Sequence, residues 1–143
     1  IRLVVATDDE RVARVAEANG VEVVMSPSAL PSGSDRAAFA ARRLEETGQR
    51  YDVVVNIQAD EPFLPGDAID RAVGLIEEDP GTAIATLAVP MVSEDIADPH
   101  AVKVVVDRSG RALYFSRVTI PHGAGGAEAP FLRHVGLYAF RRA

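Results

Sequence analysis

The chain has no cysteine among its 143 residues. Disulfides, thiolate catalysis and Cys-ligated zinc are therefore excluded, and a reducing compartment is permitted. No apolar run reaches the ~18 residues needed to span a bilayer, and no signal-peptide pattern is visible. Positive charge is in deficit. Fifteen Lys and Arg against 21 Asp and Glu give a net charge of −6 and a pI of about 5.0. Nucleic-acid and anionic-membrane surfaces select for basic patches, so neither is expected as a partner. His100, His122 and His134 lack metal-ligand spacing, which argues against a His-based zinc site. No Ser-His-Asp arrangement has sequence support. What remains is an acidic protein with 48% hydrophobic and 25% charged residues, ordinary for a globular domain. Its expected partners are small molecules or other subunits, and its length fits one domain or part of one. It opens at Ile1 inside a strand-like run and closes at Ala143 just after another, which reads as a portion of a longer enzyme.

The richest segment is Val53-Val54-Val55-Asn56-Ile57-Gln58-Ala59-Asp60-Glu61-Pro62. β-Branched residues give way abruptly to amides, paired carboxylates and a proline. This pattern predicts a buried strand delivering acids to the carboxyl end of a sheet, where open α/β sheets bind ligands. A carboxylate there can hold a divalent cation, typically Mg²⁺ with a phosphate-bearing substrate. Glu61 can equally cap the following turn.

Around it the elements alternate. Strand-like runs cover Ile1 to Thr7, Val21 to Met25, Asp52 to Gln58 and Thr82 to Val89. Helical periodicity follows Thr7, with Glu10 three residues on as a capping box and Gly20 as the stop. It returns over Asp35 to Thr47, with Ser34 or Asp35 as N-cap, and again after Pro65. The β-α-β-α-β-α-β order predicts an α/β fold with a mixed, mostly parallel sheet and helices on both faces. Consecutive strands follow: Ala101 to Asp107, a turn at Arg108-Ser109-Gly110, Arg111 to Phe115, and Phe131 to Phe140. Residues 122–130, rich in Gly and Ala, read as a flexible connection. Gly123-Ala124-Gly125-Gly126 lacks the P-loop lysine and the helix that would follow it.

Two further groups can carry chemistry. Ser32-Gly33-Ser34-Asp35-Arg36 opens a helix, with small residues for close approach, free N–H groups and an arginine for a base or phosphate. Its bland alternative is an ordinary helix start. Lys103, Arg117, Arg133 and His134 lie in or beside apolar strands. An arginine there can grip a carboxylate in bidentate fashion, whereas Lys103 fits a solvent-facing strand position and His134 a half-buried structural one.

In order along the chain, these segments resemble the 3-deoxy-manno-octulosonate (Kdo) cytidylyltransferase family. Val54 to Pro62 resembles its VNVQGDEP signature, and Ser32 to Arg36 its SGT(D/E)R segment. Ala85-Thr86-Leu87-Ala88-Val89-Pro90 resembles ATLAVP, and Pro99 to Val105 resembles PNAVKVV. Ala112 to Pro121 resembles ALYFSRxxIP, and Phe131-Leu132-Arg133-His134-Val135-Gly136-Leu137-Tyr138 resembles (F/Y)xRHxGIY. The resemblance implies a nucleotide-diphospho-sugar transferase-like three-layer sandwich. It implies coupling of CTP with Kdo to give CMP-Kdo and pyrophosphate for lipopolysaccharide synthesis, with Mg²⁺, in a cytoplasmic homodimer. By the same resemblance Asp60 is the metal ligand and, with Gln58 and Arg117, a catalytic residue. Gln58, Arg117, His134 and Tyr138 line the Kdo side; Ser32, Gly33, Ser34 and Arg36 line the cytidine side. Another sugar-acid acceptor, such as sialic acid or an amino-substituted Kdo, and a non-catalytic binding module remain alternatives. The family's PARxxSxRLPGKPL segment is absent from these residues, and its GxDTPEDL motif would lie beyond Ala143. The 143 residues alone are therefore expected not to turn over CTP. Ala59 replaces a family glycine, and Ser34 a threonine.

Overall fold

A computed structural model of the protein describes residues 1–120 and 131–142. The predicted connection over residues 122–130, the glycine run within it and His122 lie outside the described residues.

The first half alternates as the periodicity predicts: β1 (Val4–Thr7), α1 (Glu10–Ala18), β2 (Glu22–Met25), α2 (Gly33–Glu45), β3 (Val53–Ile57), α3 (Gly66–Glu78) and β4 (Ile84–Pro90). A short helical turn, Ser93–Asp95, leads into β5 (Lys103–Val106), β6 (Ala112–Ser116) and β7 (Leu132–Arg141). The β5–β6 turn closes where Gly110 adopts φ +83°, and Asp107 accepts from the Ser109 and Arg111 N–H groups there.

Two helix starts differ from expectation. Thr7 does not cap α1: its Oγ1 accepts from Asp9 N–H at 3.1 Å, ahead of the helix, and its carbonyl extends the β1–β2 ladder by accepting from Ser26 N–H at 2.8 Å. Asp9, with an extended backbone, caps instead and accepts from Arg11 N–H at 2.7 Å. The second helix begins earlier than Ser34 or Asp35. Ser32 is its N-cap, its Oγ accepting from Asp35 N–H at 3.1 Å.

Strand direction is mixed, as expected, but the described strands form two sheets, and every ladder except β1–β2 is antiparallel, so the pairing is not mostly parallel as the βα alternation implied. β1 and β2 pair in parallel. β7 runs antiparallel to β3 and β5 along one edge and to β4 along the other. β3 and β4 therefore share a direction, but the long β7 is inserted between them. Against β4 the register slips between Thr86 and Leu87, whose partners are Tyr138 and Val135. This bulge leaves Gly136 and Leu137 of β7 without β4 partners.

The core lies where α3 covers this sheet. Ala72, Ile76, Leu137 and Ala139 are each 0% exposed, with Val53 and Val55 packed against them. Asn56 points to the opposite face, as alternation requires. Its Nδ2 lies 3.5 Å from where a Cβ on Gly33 would stand, at the start of α2. Thus α2 and α3 cover opposite faces. α2 also packs on β1. At the amino ends, Arg2 donates to Glu22 and Tyr51 and so ties β1, β2 and β3 together.

Candidate functional site

β3 ends at Ile57 and its carboxyl end feeds the loop that carries Gln58, Asp60 and Glu61. Backbone bonds shape this loop: Gln58 N–H donates to the Gly136 carbonyl at 3.1 Å, and Glu61 N–H to the Gln58 carbonyl at 3.1 Å. The half-buried Glu61 folds back, its Oε1 accepting from Gly136 N–H at 3.2 Å. Gly136 lets both side chains come this close to the strand. A Cβ there would stand 2.7 Å from Gln58 Oε1 and 3.2 Å from Glu61 Cγ. Gln58 and Asp60 remain exposed beside this anchor.

A groove of about 740 Å³ runs between β1 and β3 beneath α2. Val4, Val5, Val54, Ala40 and Leu44 make its apolar wall, while Arg36, Gln58 and Asp60 stand at its polar end. The carboxyl end of β3 and the start of α2, two segments singled out in the sequence, thus share one cavity. Gly33 also lines it; Ser32 is occupied as the helix cap, its hydroxyl bonded to Asp35. The Arg36 guanidinium is engaged with Asp8 at 3.0 Å and with Ser26 Oγ at 2.7 Å. That arrangement joins α2 to the ends of β1 and β2. Ser34 is half-buried in the first turn of α2.

His134 and Tyr138 project from β7 beside the Glu61–Gly136 anchor. Their ring centroids are 5.1 Å apart, and Phe115 of β6 meets His134 edge-on at 5.2 Å. The His134 Nε2 lies 2.8 Å from Thr86 Oγ1. Burial lowers the His134 pKa from its usual value, and the Glu61 carboxylate opposes that shift. Burial raises the Tyr138 pKa.

Arg117 stands past the end of β6 and donates to the Pro99 carbonyl at 3.4 Å. Among the described residues no hydrogen bond joins it to Gln58, His134 or Tyr138. Arg133 is exposed. Lys103 departs from expectation: it is 0% exposed, not solvent-facing. Its ammonium donates to the Asp98 carbonyl and, at 3.2 Å, to the Arg117 carbonyl. Strand alternation fixes which face a side chain takes, but here flanking loops cover that face.

Sequence reasoning missed Glu61 as an anchor, Gly136 as the glycine it packs against and Thr86 as the partner of His134. Gly136 and Thr86 lay inside recognised segments, but nothing local announces a contact across 48 or 75 residues. Among the described residues no three His, Cys, Asp or Glu side chains form a group able to hold a metal. Asp60 offers one carboxylate. Mg²⁺ commonly takes one or two carboxylates and completes its shell with water and substrate phosphates, and a lone exposed Asp60 fits that manner of binding.

A mixed sheet with helices on both faces and polar loops at the strands' carboxyl ends is the architecture of ligand-binding α/β proteins. More narrowly, the chain belongs to the cytidylyltransferase family, whose defining pattern matches residues 2–143. It is 46% identical over 141 residues to the 3-deoxy-manno-octulosonate cytidylyltransferase of Anaeromyxobacter dehalogenans (strain 2CP-1 / ATCC BAA-258), covering 97% of this chain and 55% of that protein. It is 42% identical over 144 residues to the enzyme of the same name from Chloroherpeton thalassium (strain ATCC 35110 / GB-78), covering 98% and 56%. A solved structure of CMP:2-keto-3-deoxy-manno-octonic acid synthetase complexed with CTP superposes with a TM-score of 0.87 at 34% identity, covering 99% of this chain and 56% of that one. The chain thus spans about half the length of the curated relatives it matches.

Proposed function

We propose that the protein to which this chain belongs couples CTP with the eight-carbon keto-acid Kdo, giving CMP-Kdo and pyrophosphate. The observation that carries this reading is the superposition, over 99% of the chain, on a synthetase complexed with CTP. The nearness of Gly33 and Arg36, at the start of α2, to Gln58 and Asp60, past the carboxyl end of β3, supports it.

In this reading the anomeric hydroxyl of the sugar acid attacks the α-phosphorus of CTP and pyrophosphate leaves. No covalent enzyme intermediate is required. The chain's own residues bind and align two polyanions. Asp60 would hold Mg²⁺, which neutralises phosphate charge when bound. Gln58 and Tyr138 orient the sugar acid, and His134 offers a ring nitrogen to one of its hydroxyls. Arg117 pairs with the acceptor carboxylate when its side chain leaves the Pro99 carbonyl. Ser32, Gly33, Ser34 and Arg36 form the nucleotide side, with Arg36 acting mainly through the helix position it secures.

The product would serve lipopolysaccharide synthesis in the cytoplasm. Among the described residues no helix is long and apolar enough to cross a membrane. A homodimer is supported by apolar side chains exposed on β6 and just beyond it: Leu113 at 64%, Tyr114 at 65% and Val118 at 72%.

Pyrophosphate release from CTP, Mg²⁺ and Kdo by the longer protein tests the reading, beside an Asp60→Ala control. The expected result is Kdo-dependent release that the control loses by 10²-fold or more, in the range for removing an electrostatic stabiliser. A folded protein that releases pyrophosphate only with another sugar acid would move the assignment to that acceptor.

A further inference from the structure

Thr86 sits at the bulge where β4 and β7 slip register. Just past the end of β3, Gln58 N–H donates to the Gly136 carbonyl of β7. The adjoining Ile57–Leu137 pair is therefore the non-bonded kind, and the Leu137 carbonyl turns toward β4. The bulge leaves Leu137 without a β4 partner in the register. There the Thr86 hydroxyl donates to the Leu137 oxygen, 2.7 Å from its Oγ1. Bulges re-aim side chains in this way.

Donor counting then fixes the histidine. A threonine hydroxyl has one proton. A carbonyl oxygen only accepts, so that proton points to Leu137. A second carbonyl, Val135 at 3.4 Å, can likewise only accept, so the remaining contact of Oγ1, His134 Nε2 at 2.8 Å, must be one in which the ring donates. Burial lowers the His134 pKa below its ordinary 6.5, so the ring is neutral at neutral pH. A neutral imidazole with its proton on Nε2 has a bare lone pair on Nδ1. Among the described residues no hydrogen bond engages Nδ1, and the His134 side chain is half-buried rather than enclosed.

We propose that Thr86 is a positioning residue that holds His134 as the Nε2–H tautomer, presenting Nδ1 as an acceptor for a hydroxyl of the bound sugar acid. The ligand class rests on the reading above, whereas the tautomer does not. Thr86 touches no reacting atom. It acts by fixing which ring nitrogen donates and how the ring is turned.

The test is ¹⁵N–¹H NMR of the His134 ring in the longer protein, for wild type, Thr86→Ser and Thr86→Val, beside kinetics with the sugar acid. The serine variant keeps the hydroxyl, and the valine variant keeps the shape. Wild type and Thr86→Ser are expected to show a protonated Nε2, a bare Nδ1 and a slowly exchanging ring proton. In Thr86→Val the ring proton should exchange rapidly. The KM for the sugar acid should rise about tenfold with little change in kcat, the loss of one hydrogen bond's worth of orientation. A bare Nε2 in wild type, or a ring signature and KM unchanged in Thr86→Val, overturns the proposal. The expected ring signature in a protein inactive with Kdo would leave Thr86 in its role and remove the substrate reading instead.

Discussion

The two sheets differ sharply. Around β7, strands pair on both edges, α3 seals one face, and Ile76, Leu137 and Ala139 are each 0% exposed. Around β1 and β2 there are two strands and one parallel ladder, and Leu3, Val12 and Val15 stand 67%, 47% and 64% exposed. The same kinds of residue therefore do different work. In the first region apolar side chains supply cohesion. In the second the only buried apolar residues of β1, α1 and β2 are Ala13 and Ala16, and β1 is held by α1, by α2 and by the Arg2 and Arg36 bridges. The groove that carries Gln58 and Asp60 is the seam between the regions, with one wall firm and the other held mainly by polar ties.

The contrast breaks if core truncations cost the same in both regions. Leu137→Ala should destabilise the protein by about 2–5 kcal/mol, the range for emptying a filled core site. Val12→Ala should stay within about 0.5 kcal/mol. Chemical denaturation of both variants measures this, and equal losses would mean that the β1–β2 region is packed in solution.

Lys103 sharpens the comparison from inside the firm region. Replacing it with Met keeps volume but leaves the Asp98 and Arg117 carbonyls without their donor. A cost of about 1–3 kcal/mol is expected, since unsatisfied buried acceptors carry that penalty. Because Lys103 holds the Arg117 backbone, the longer protein, in the sugar-acid reaction proposed above, should show a raised KM along with the loss of stability. A stable variant with unchanged KM would separate Arg117 from the site.

Much of this was legible in the residues, for local reasons. Period-2 and period-3.6 patterns placed every described strand and α-helix, because each pattern reports on its own neighbours. The Gln58–Glu61 loop was legible because its polar residues are contiguous. The insertion of β7 between β3 and β4 was not, since strand pairing across some 80 residues leaves no local mark. Lys103 was misread because alternation names a face without saying what covers it. Thr86 and Glu61 were invisible as partners of β7, because a bulge and a returning side chain exist only in three dimensions. The site's reactive-looking groups could be read from the sequence, but the residues that aim them could not.

The seam makes a prediction at the level of single amides. Gln58 N–H bonds to Gly136, so alternation places the Asn56 and Val54 amides in the β7 ladder and turns those of Val53, Val55 and Ile57 toward the groove. Hydrogen exchange of the 143-residue chain should find these three at least tenfold faster than Val54 and Asn56, because unpaired amides exchange from the low-stability end of the range. Equal protection along β3 would mean that polypeptide fills the groove, by self-association of exposed edges or otherwise.

The smallest expected effect is that of pH on His134. Burial lowers the folded pKa relative to the unfolded chain. Below the ordinary value of about 6.5 the unfolded state therefore binds a proton that the folded state refuses. Stability should fall as pH drops through that value, down to the folded pKa, and be fully retained above it. Glu61 pushes the folded pKa the other way, so Glu61→Gln should lower it further and steepen the loss. An NMR titration of the ring together with melting curves between pH 5 and pH 8 measures both. If Glu61→Gln leaves the His134 titration where it was, the Glu61 carboxylate is anchoring Gly136 alone and exerts no field on the ring. In that case the firm wall of the groove is mechanically joined but electrostatically divided.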